Sequence, residues 1–499
     1  MANRTPRIWR DPWAIATAAG GSPSSNPGVL LAVVLALCLA SRVYFILKTP
    51  FCAEDAYITF RYALHWARGL GPVYNAGEKV WGFTSPLWTS YLALAVLAGA
   101  PVEQAARWTL VGCDLATLWL GWRLLRGQSV VAAAGFGVFY ALWPRFAQMP
   151  ATGLESSLFT SLLLAAASLA TRRAGGLFNG LLALTRPEGA AMSVLVAWLL
   201  KGRQRLVWLA VAALQGLLIL YYGQLLPASV TSKATVYGIQ VLKGVYWLEW
   251  LIPGIAAQTH DGQALAPVSV LLVAGLAAVT TQWRRAAPGE SPLPLLLVCG
   301  LLTLVAYMVL GVPWFFWYAP TPMVAILLAA FLGLASSGVL RWALGPMVVF
   351  LVFSWSSVTP RALRLQTHDA AIFADVGQTL RNDAAGRPAC VILEPIGIIG
   401  YMSGMRVIDE VGLVTPWVAH EREKGDGWYA RVLARDRPDY VVIRKDWLAG
   451  GVSWAGAGKP FVSRQQADSV MTTYETIRQR AGRELPEGAA RVMVLRLKR

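Results

Sequence analysis

Charge is scarce in this chain. Asp, Glu, Lys and Arg make up 14% of its 499 residues against 56% hydrophobic residues, and the mean hydropathy is +0.50. That balance excludes a water-soluble enzyme of this size and describes a polytopic membrane protein with a soluble appendage. Cysteine is scarce too: residues 38, 52, 113, 299 and 390 follow no metal or disulfide spacing. Three of them fall in apolar segments, so Cys52 and Cys390 are all that an exported region would have, which is not a disulfide scaffold. His65, His260, His368 and His420 share no spacing, and no metal site is expected from them. There is no internal repeat or coiled coil, and Gly397, Gly400 and Gly404 do not form a dinucleotide fingerprint. The formal net charge of +17 sits largely in short clusters between apolar runs, the pattern of positive-inside loops rather than of nucleic-acid binding.

What the chain has in abundance is apolar runs of membrane length. They are predicted at 28–47, 106–125, 129–147, 155–171, 174–185, 188–200, 206–222, 265–282, 292–311, 319–337 and 340–356, about eleven spans. Setting Arg4, Arg7 and Arg10 on the cytoplasmic side places Arg123/Arg126, Arg172/Arg173, Lys201/Arg203/Arg205, Arg284/Arg285 and Arg341 there as well. The first outer loop (49–105), the segment 223–264, the turn Trp314–Tyr318 and everything after residue 357 then lie outside. Residues 1–27 read as a flexible cytoplasmic tail, the first span as a retained anchor, and the whole as a multi-pass protein of the cytoplasmic membrane. Pro86–Ala98, at about 13 residues, is too short to span and reads as a juxtamembrane or re-entrant helix. After residue 357 the pattern changes to a helix over 370–382 and strands at Cys390–Leu393, Arg406–Ile408, Tyr440–Ile443 and Ala490–Leu497. These predict an extracytoplasmic α/β domain over 357–499 beside a transmembrane domain over 28–356.

The outer side carries the chemistry. The run AEDAYITFRYALHWARGLGPVYNAGEKVWGFTSPLW, Ala53 to Trp88, opens with Glu54 and Asp55, and carboxylates at a membrane exit are costly unless used. A surface carboxylate with cations and aromatics nearby suits displacement at a sugar carbon whose leaving group is a lipid phosphate. Asp55 would take the acceptor hydroxyl proton. Lys233 and Arg186 would hold the phosphate charge, so no cofactor is required, although a divalent cation could serve.

These residues carry a resemblance. EDAYITFRYA, then YNAGEKVWGFTSPLW, resembles the first outer loop of GT-C glycosyltransferases that use polyprenyl-phosphate sugars, most closely the terminal arabinofuranosyltransferase type of mycobacterial cell-wall arabinan. Thr152-Gly153-Leu154-Glu155, Leu184-Thr185-Arg186-Pro187-Glu188-Gly189, Tyr222-Gly223 with Leu226-Pro227 and Lys233, and Ile399-Gly400-Tyr401 with Val407-Ile408-Asp409 match in the same order. The resemblance implies a GT-C fold, a polyprenyl-phosphoryl pentose donor, a glycan or surface-protein acceptor, and a catalytic carboxylate mapping to Asp55 with Glu54 beside it. Lys233, Arg186 and Tyr318 are then the candidates for the donor phosphate, and Arg61, Asn75, Thr84, Glu155, Glu188 and Trp314 for the rest of the substrate. The family loop usually begins with two aspartates and has a small or acidic residue where Trp81 stands, which leaves sugar and acceptor open.

Each of these residues has a structural alternative. Asp55 could be an N-cap and Glu155 the cap of its span. Arg61 could snorkel, Arg186 could pair with Glu188, Glu54 and Lys233 could be solvated, and Trp314, Trp317 and Tyr318 could be an aromatic belt. Asp409 reads as an organiser of the outer domain. The competing function classes are a lipid or sugar transporter, which would gather ionisable groups at the bilayer midplane, and a non-enzymatic envelope assembly factor.

Overall fold

Proline decides where several of the apolar segments stop. The computed structural model describes residues 26–237, 273, 275–277, 292–309, 315–448, 458–479 and 492–498. Helix α1 (Pro27–Lys48) begins at a proline behind the Asn26 side chain, which accepts from Gly28 N–H. It is followed by α2 (Ala56–Ala67), α3 (Pro86–Leu97), α4 (Val102–Arg126) and α5 (Val130–Leu142). Pro144 has no N–H for the Tyr140 carbonyl, so α5 ends there. The chain continues over Pro144–Thr152 with a bend of 62°.

That break leaves carbonyls without helical donors inside an apolar bundle, where each unsatisfied group costs several kcal/mol. Arg42 of α1 supplies the donors, through Nη2 to Tyr140 O at 3.0 Å and Nη1 to Ala141 O at 2.6 Å. Trp355 Nε1 adds a bond to Leu142 O at 2.6 Å. Asp114 of α4 balances the guanidinium, accepting from Arg42 Nε at 2.8 Å and from Tyr140 Oη at 2.9 Å. The two side chains are 0% and 2% exposed, and their hydrogen bonds tie α1, α4 and α5 into one unit.

Among the described residues, three helices are long and apolar enough to cross a membrane: Pro27–Lys48, Arg203–Tyr222 and Leu340–Ala384. The bent pair Val130–Leu142 and Pro144–Thr152 would make a fourth. The expected spans 155–171, 188–200, 292–311 and 319–337 correspond to the shorter apolar helices Ser156–Leu169, Pro187–Ala197, Leu293–Val309 and Pro320–Ser336, of 10–17 residues, and 106–125 lies within the 25-residue helix α4. Three of these four begin at, or one residue after, a proline. The predicted span 265–282 lies almost wholly outside the described residues. Pro86–Leu97 is the short helix expected, with Pro86 at its first turn.

The chain does not break at 356/357. Helix Leu340–Arg364 runs through a π-helical turn at Leu365–Asp369 into Ala370–Ala384, a single rod of 45 residues. Beyond it lie β1 (Cys390–Leu393), β2 (Arg406–Asp409), β3 (Tyr440–Arg444), β4 (Tyr474–Gln479) and β5 (Val492–Leu497). They form one sheet in the order β2-β1-β3-β5-β4. β1 is parallel to β2 and β3, and β5 is antiparallel to β3 and β4. Four strands lie where the sequence predicts them. β4 was not anticipated, since its run YETIRQ is largely polar.

Alternate residues of these strands serve two cores. Val391, Leu393 and Val407 pack with Tyr74, Trp81 and Phe83 of the loop between α2 and α3. Ile392, Ile408, Val441 and Ile443 pack with Trp428 and Tyr429 behind the sheet. The sheet edge is also covered by that loop: Asn75 accepts from Val407 N–H at 2.9 Å and donates to Val407 O at 2.8 Å, standing in for a neighbouring strand.

Arg42→Ala should cost roughly 3–5 kcal/mol, because it strands a buried carboxylate and two carbonyls together. Thermal unfolding of the detergent-solubilised protein measures this, and an unfolding midpoint unchanged from wild type would refute the clamp.

Candidate active site

Glu54 and Asp55 are adjacent at the start of α2 and have different surroundings. Glu54 Oε1 accepts from Gly397 N–H, and from Ile398 N–H at 3.3 Å. These are unsatisfied donors at the start of helix Gly397–Ser403. Only glycine fits at 397, since a Cβ there would come within 2.0 Å of the Glu54 carbonyl oxygen. Burial pushes the Glu54 carboxyl well above its usual range. The Asp55 charge and a hydrogen bond between the two side chains push the same way, and the Gly397 N–H opposes them. These effects favour the protonated form of Glu54.

Asp55 stands at the N-cap position of α2, but its side chain makes no capping bond. It is half-buried, and its charge acts on both Glu155 and Glu394. The turn beneath it is the bent segment after α5. Ala53 N–H donates to Thr152 O at 2.8 Å, and Trp88 Nε1 donates to Gly153 O at 3.2 Å. Gly153 has φ +75°, and a Cβ there would also press on Phe60 and Cys52.

That turn delivers Glu155, which likewise makes no side-chain cap and pairs instead with Arg186. Arg186 Nη1 reaches Glu155 Oε1 at 3.2 Å and its Nε reaches Glu188 Oε1 at 2.7 Å. Tyr307 Oη donates to the same Glu188 oxygen. The guanidinium lies 4.6 Å from the Tyr318 ring centre and 5.8 Å from that of Phe159. Ser156 Oγ holds the aromatic turn by donating to Trp317 O at 2.6 Å. The structure thus gathers Glu155, Arg186, Glu188 and Tyr318 into one cluster within electrostatic range of Asp55. The Arg–Glu188 pairing weighed from the sequence is present, widened by a second carboxylate.

Arg61 and Asn75 are placed elsewhere. Arg61 donates to Tyr74 O at 2.8 Å, Gly400 O at 2.5 Å and Met405 O at 2.5 Å, with Asn75 Oδ1 at 3.5 Å. Its guanidinium is buried in the seam between loop and sheet rather than snorkelling. Thr84 is half-buried in the turn ahead of α3. Lys233 belongs to helix Ala228–Tyr237, but its side chain lies outside the described residues, as does Trp314. Most of the predicted outer segment 223–264 lies outside them too. Trp81 stacks on Tyr222 with ring centres 5.6 Å apart, so the departure at that position is a packing residue.

Sequence reasoning missed the acidic and basic groups that the sheet brings over Asp55. Glu394 follows β1 and forms an ion pair with Arg444 at the end of β3. Glu410 follows β2, and its carboxyl is pushed well up by burial and by Glu394. Asp409 organises the turn after β2 as expected, accepting from Val411 N–H at 2.8 Å and Val414 N–H at 3.1 Å; burial still raises it to about 6. Among the described residues no three of His, Cys, Asp and Glu are grouped as metal ligands would be.

Residues 362–491 match a family model described as a domain of unknown function (DUF8728). No curated protein matches the chain in sequence. In three dimensions it is similar to ArnT from Cupriavidus metallidurans bound to undecaprenyl phosphate, with a TM-score of 0.58 at 11% identity over 94% of this chain and 97% of that one. It is also similar to the Archaeoglobus fulgidus oligosaccharyltransferase in complex with Zn and sulfate, with a TM-score of 0.53 at 13% identity over 93% of this chain and 72% of that one. The same archaeal enzyme, AglB, in complex with an inhibitory peptide and a dolichol-phosphate gives 0.51 at 12% identity over 90% and 72%. The chain therefore shares its overall fold with these structures, with its own helices followed by a C-terminal α/β sheet.

Proposed function

We propose that the protein is a membrane glycosyltransferase that moves a sugar from a polyprenyl-phosphate donor to a cell-envelope glycan or surface-protein acceptor. The transfer takes place on the outer face of the cytoplasmic membrane, and arabinofuranose is the sugar favoured by the loop resemblance. The observation that carries the reading is Asp55: a half-buried carboxylate without capping duty, beside the Arg186 cluster, in a fold shared with proteins solved with undecaprenyl phosphate and dolichol-phosphate.

In the transfer, the acceptor hydroxyl oxygen bonds to the anomeric carbon as the bond from that carbon to the phosphate oxygen breaks. The hydroxyl proton passes to Asp55, and the lipid phosphate departs with the electron pair. Protonated Glu54 donates to Asp55 and holds it in place. Arg186, already shared between two carboxylates, orients the cluster and offers its remaining donor surface to the phosphate. Lys233 is the second cation of the reading. An apolar groove of about 540 Å³, lined in part by Trp66, Phe83, Leu87, Leu184, Leu217 and Tyr221, supports lateral entry of an isoprenoid tail. The transport alternative would draw on Arg42 and Asp114, but their hydrogen bonds serve helix ends and each other.

Asp55→Asn is expected to lower transfer by about two to four orders of magnitude, the range of a general base, while donor binding persists. Purified protein given radiolabelled polyprenyl-phosphoryl-arabinofuranose tests this, and undiminished transfer would remove Asp55 from the chemistry. The anomeric configuration of the product then distinguishes a base, which gives inversion, from a nucleophile. Lys233→Ala should weaken donor binding chiefly, and equal donor affinity in mutant and wild type would take Lys233 out of the phosphate site. Glu54 supplies a pH test. Its folded value is raised, so its contribution to stability is complete below the ordinary carboxyl range and is lost as pH rises through the raised value. Wild type should therefore gain stability relative to Glu54→Gln as pH falls, and parallel unfolding midpoints across the range would contradict the shared proton.

A further inference from the structure

The parallel part of the sheet has a topological switch point. From β1 the chain turns towards β2 on one side, and from β3 it proceeds towards the antiparallel pair β4–β5 on the other. In open α/β sheets ligands bind in the crevice at the carboxyl ends of the two strands where the direction reverses. Here those ends carry Glu394 and Arg444, an ion pair whose side chains keep 16% and 23% exposure. Continuing the register Leu393↔Asp409 sets Glu394 opposite Glu410.

The turn that follows β1 meets the start of α2 at a fixed place. Glu54 accepts from Gly397 and Ile398, three and four residues beyond Glu394, so the turn after β1 is seated on the carboxylate pair of the first outer loop. The Gly397 backbone approaches Glu54 too closely for any side chain, which fixes the seam without an intervening layer. The Asp55 charge is felt at Glu394.

We propose that Glu394 and Arg444, at the switch point between β1 and β3, form the acceptor subsite and receive a neutral polyhydroxylated ring whose hydroxyl is presented to Asp55. The proposal rests on the transferase reading above. A carboxylate beside a guanidinium offers acceptors and donors at neighbouring points, which suits adjacent hydroxyl groups. A phosphorylated or carboxylated ring would meet the charges of Asp55 and Glu394 together. The α/β domain is thereby part of the reaction site, and Glu394 and Arg444 determine which acceptors are used.

The test is equilibrium binding to the full-length, detergent-reconstituted protein, with a short neutral arabinan oligosaccharide and a uronic-acid oligosaccharide of equal length as probes. The neutral probe should bind wild type, and its affinity should fall about tenfold or more in Glu394→Gln and in Arg444→Lys, with the unfolding midpoint of each variant checked alongside. The acidic probe should bind more weakly than the neutral one. Neutral-probe affinity that is the same in wild type and both variants, absent in wild type, or lower than that of the acidic probe would overturn the proposal. Glu394→Gln keeps the side-chain shape, and Arg444→Lys keeps the charge if the first variant fails to fold. Glu394-dependent binding without transfer from any polyprenyl-phosphate sugar would preserve the subsite and refute the transferase reading. Wild-type transfer with an unchanged acceptor KM in Glu394→Gln would do the reverse.

Discussion

A helix that stops inside an apolar bundle must find donors for its last carbonyls, and much of this structure follows from how that demand is met. Pro144 ends α5, Arg42 bonds the freed carbonyls, and Asp114 neutralises the arginine. With its end held, the chain can turn by 62° and run on to Thr152, Gly153 and Glu155. Those residues support the start of α2 from below, through the bond from Ala53 N–H to Thr152 O, and provide one partner of Arg186. The position of Asp55 thus depends on an ion pair buried within the bundle.

A second seam fixes the site from above. Glu54, Arg61, Tyr74 and Asn75 all spend polar atoms on the backbone of residues 396–407, and Gly397 and Gly400 allow the helix they share to lie directly on the loop. The bonds are mostly side chain to backbone, so they depend on the path of the partner chain more than on its side chains. The Glu54 carboxylate and the Glu394–Arg444 ion pair are thus separated by only the short turn after β1.

The sequence was legible where chemistry and periodicity coincide. The loop beginning at Glu54, the Thr185–Glu188 turn and the three parallel strands were found because charge, proline or β-branched runs mark them, and Glu155, Arg186, Glu188 and Tyr318 do converge. For Arg61 and Asn75 the sequence does not show the backbone bonds they make, because a polar residue in a polar loop looks the same whether it faces a ligand or a neighbouring backbone. Arg42 and Asp114 were visible as charges inside apolar runs, yet only the fold pairs them across 72 positions. The same holds for Glu394 and Arg444, brought together by strand order, which no local pattern encodes. Hydropathy marks apolar runs but does not register where proline divides them, as it does after α5.

The rod from Leu340 to Ala384 has a mechanical meaning. At 1.5 Å per residue its 45 residues extend about 68 Å, about twice the thickness of a hydrocarbon core. One end is embedded with the bundle and the other carries the sheet, so the rod acts as a gauge of the height at which the α/β domain stands. Any molecule that approaches Asp55 from beneath the sheet must fit the clearance this gauge sets. The π-helical turn at Leu365–Asp369 is its one change of pitch, the place where a change of tilt in the bilayer would be passed to the sheet or absorbed.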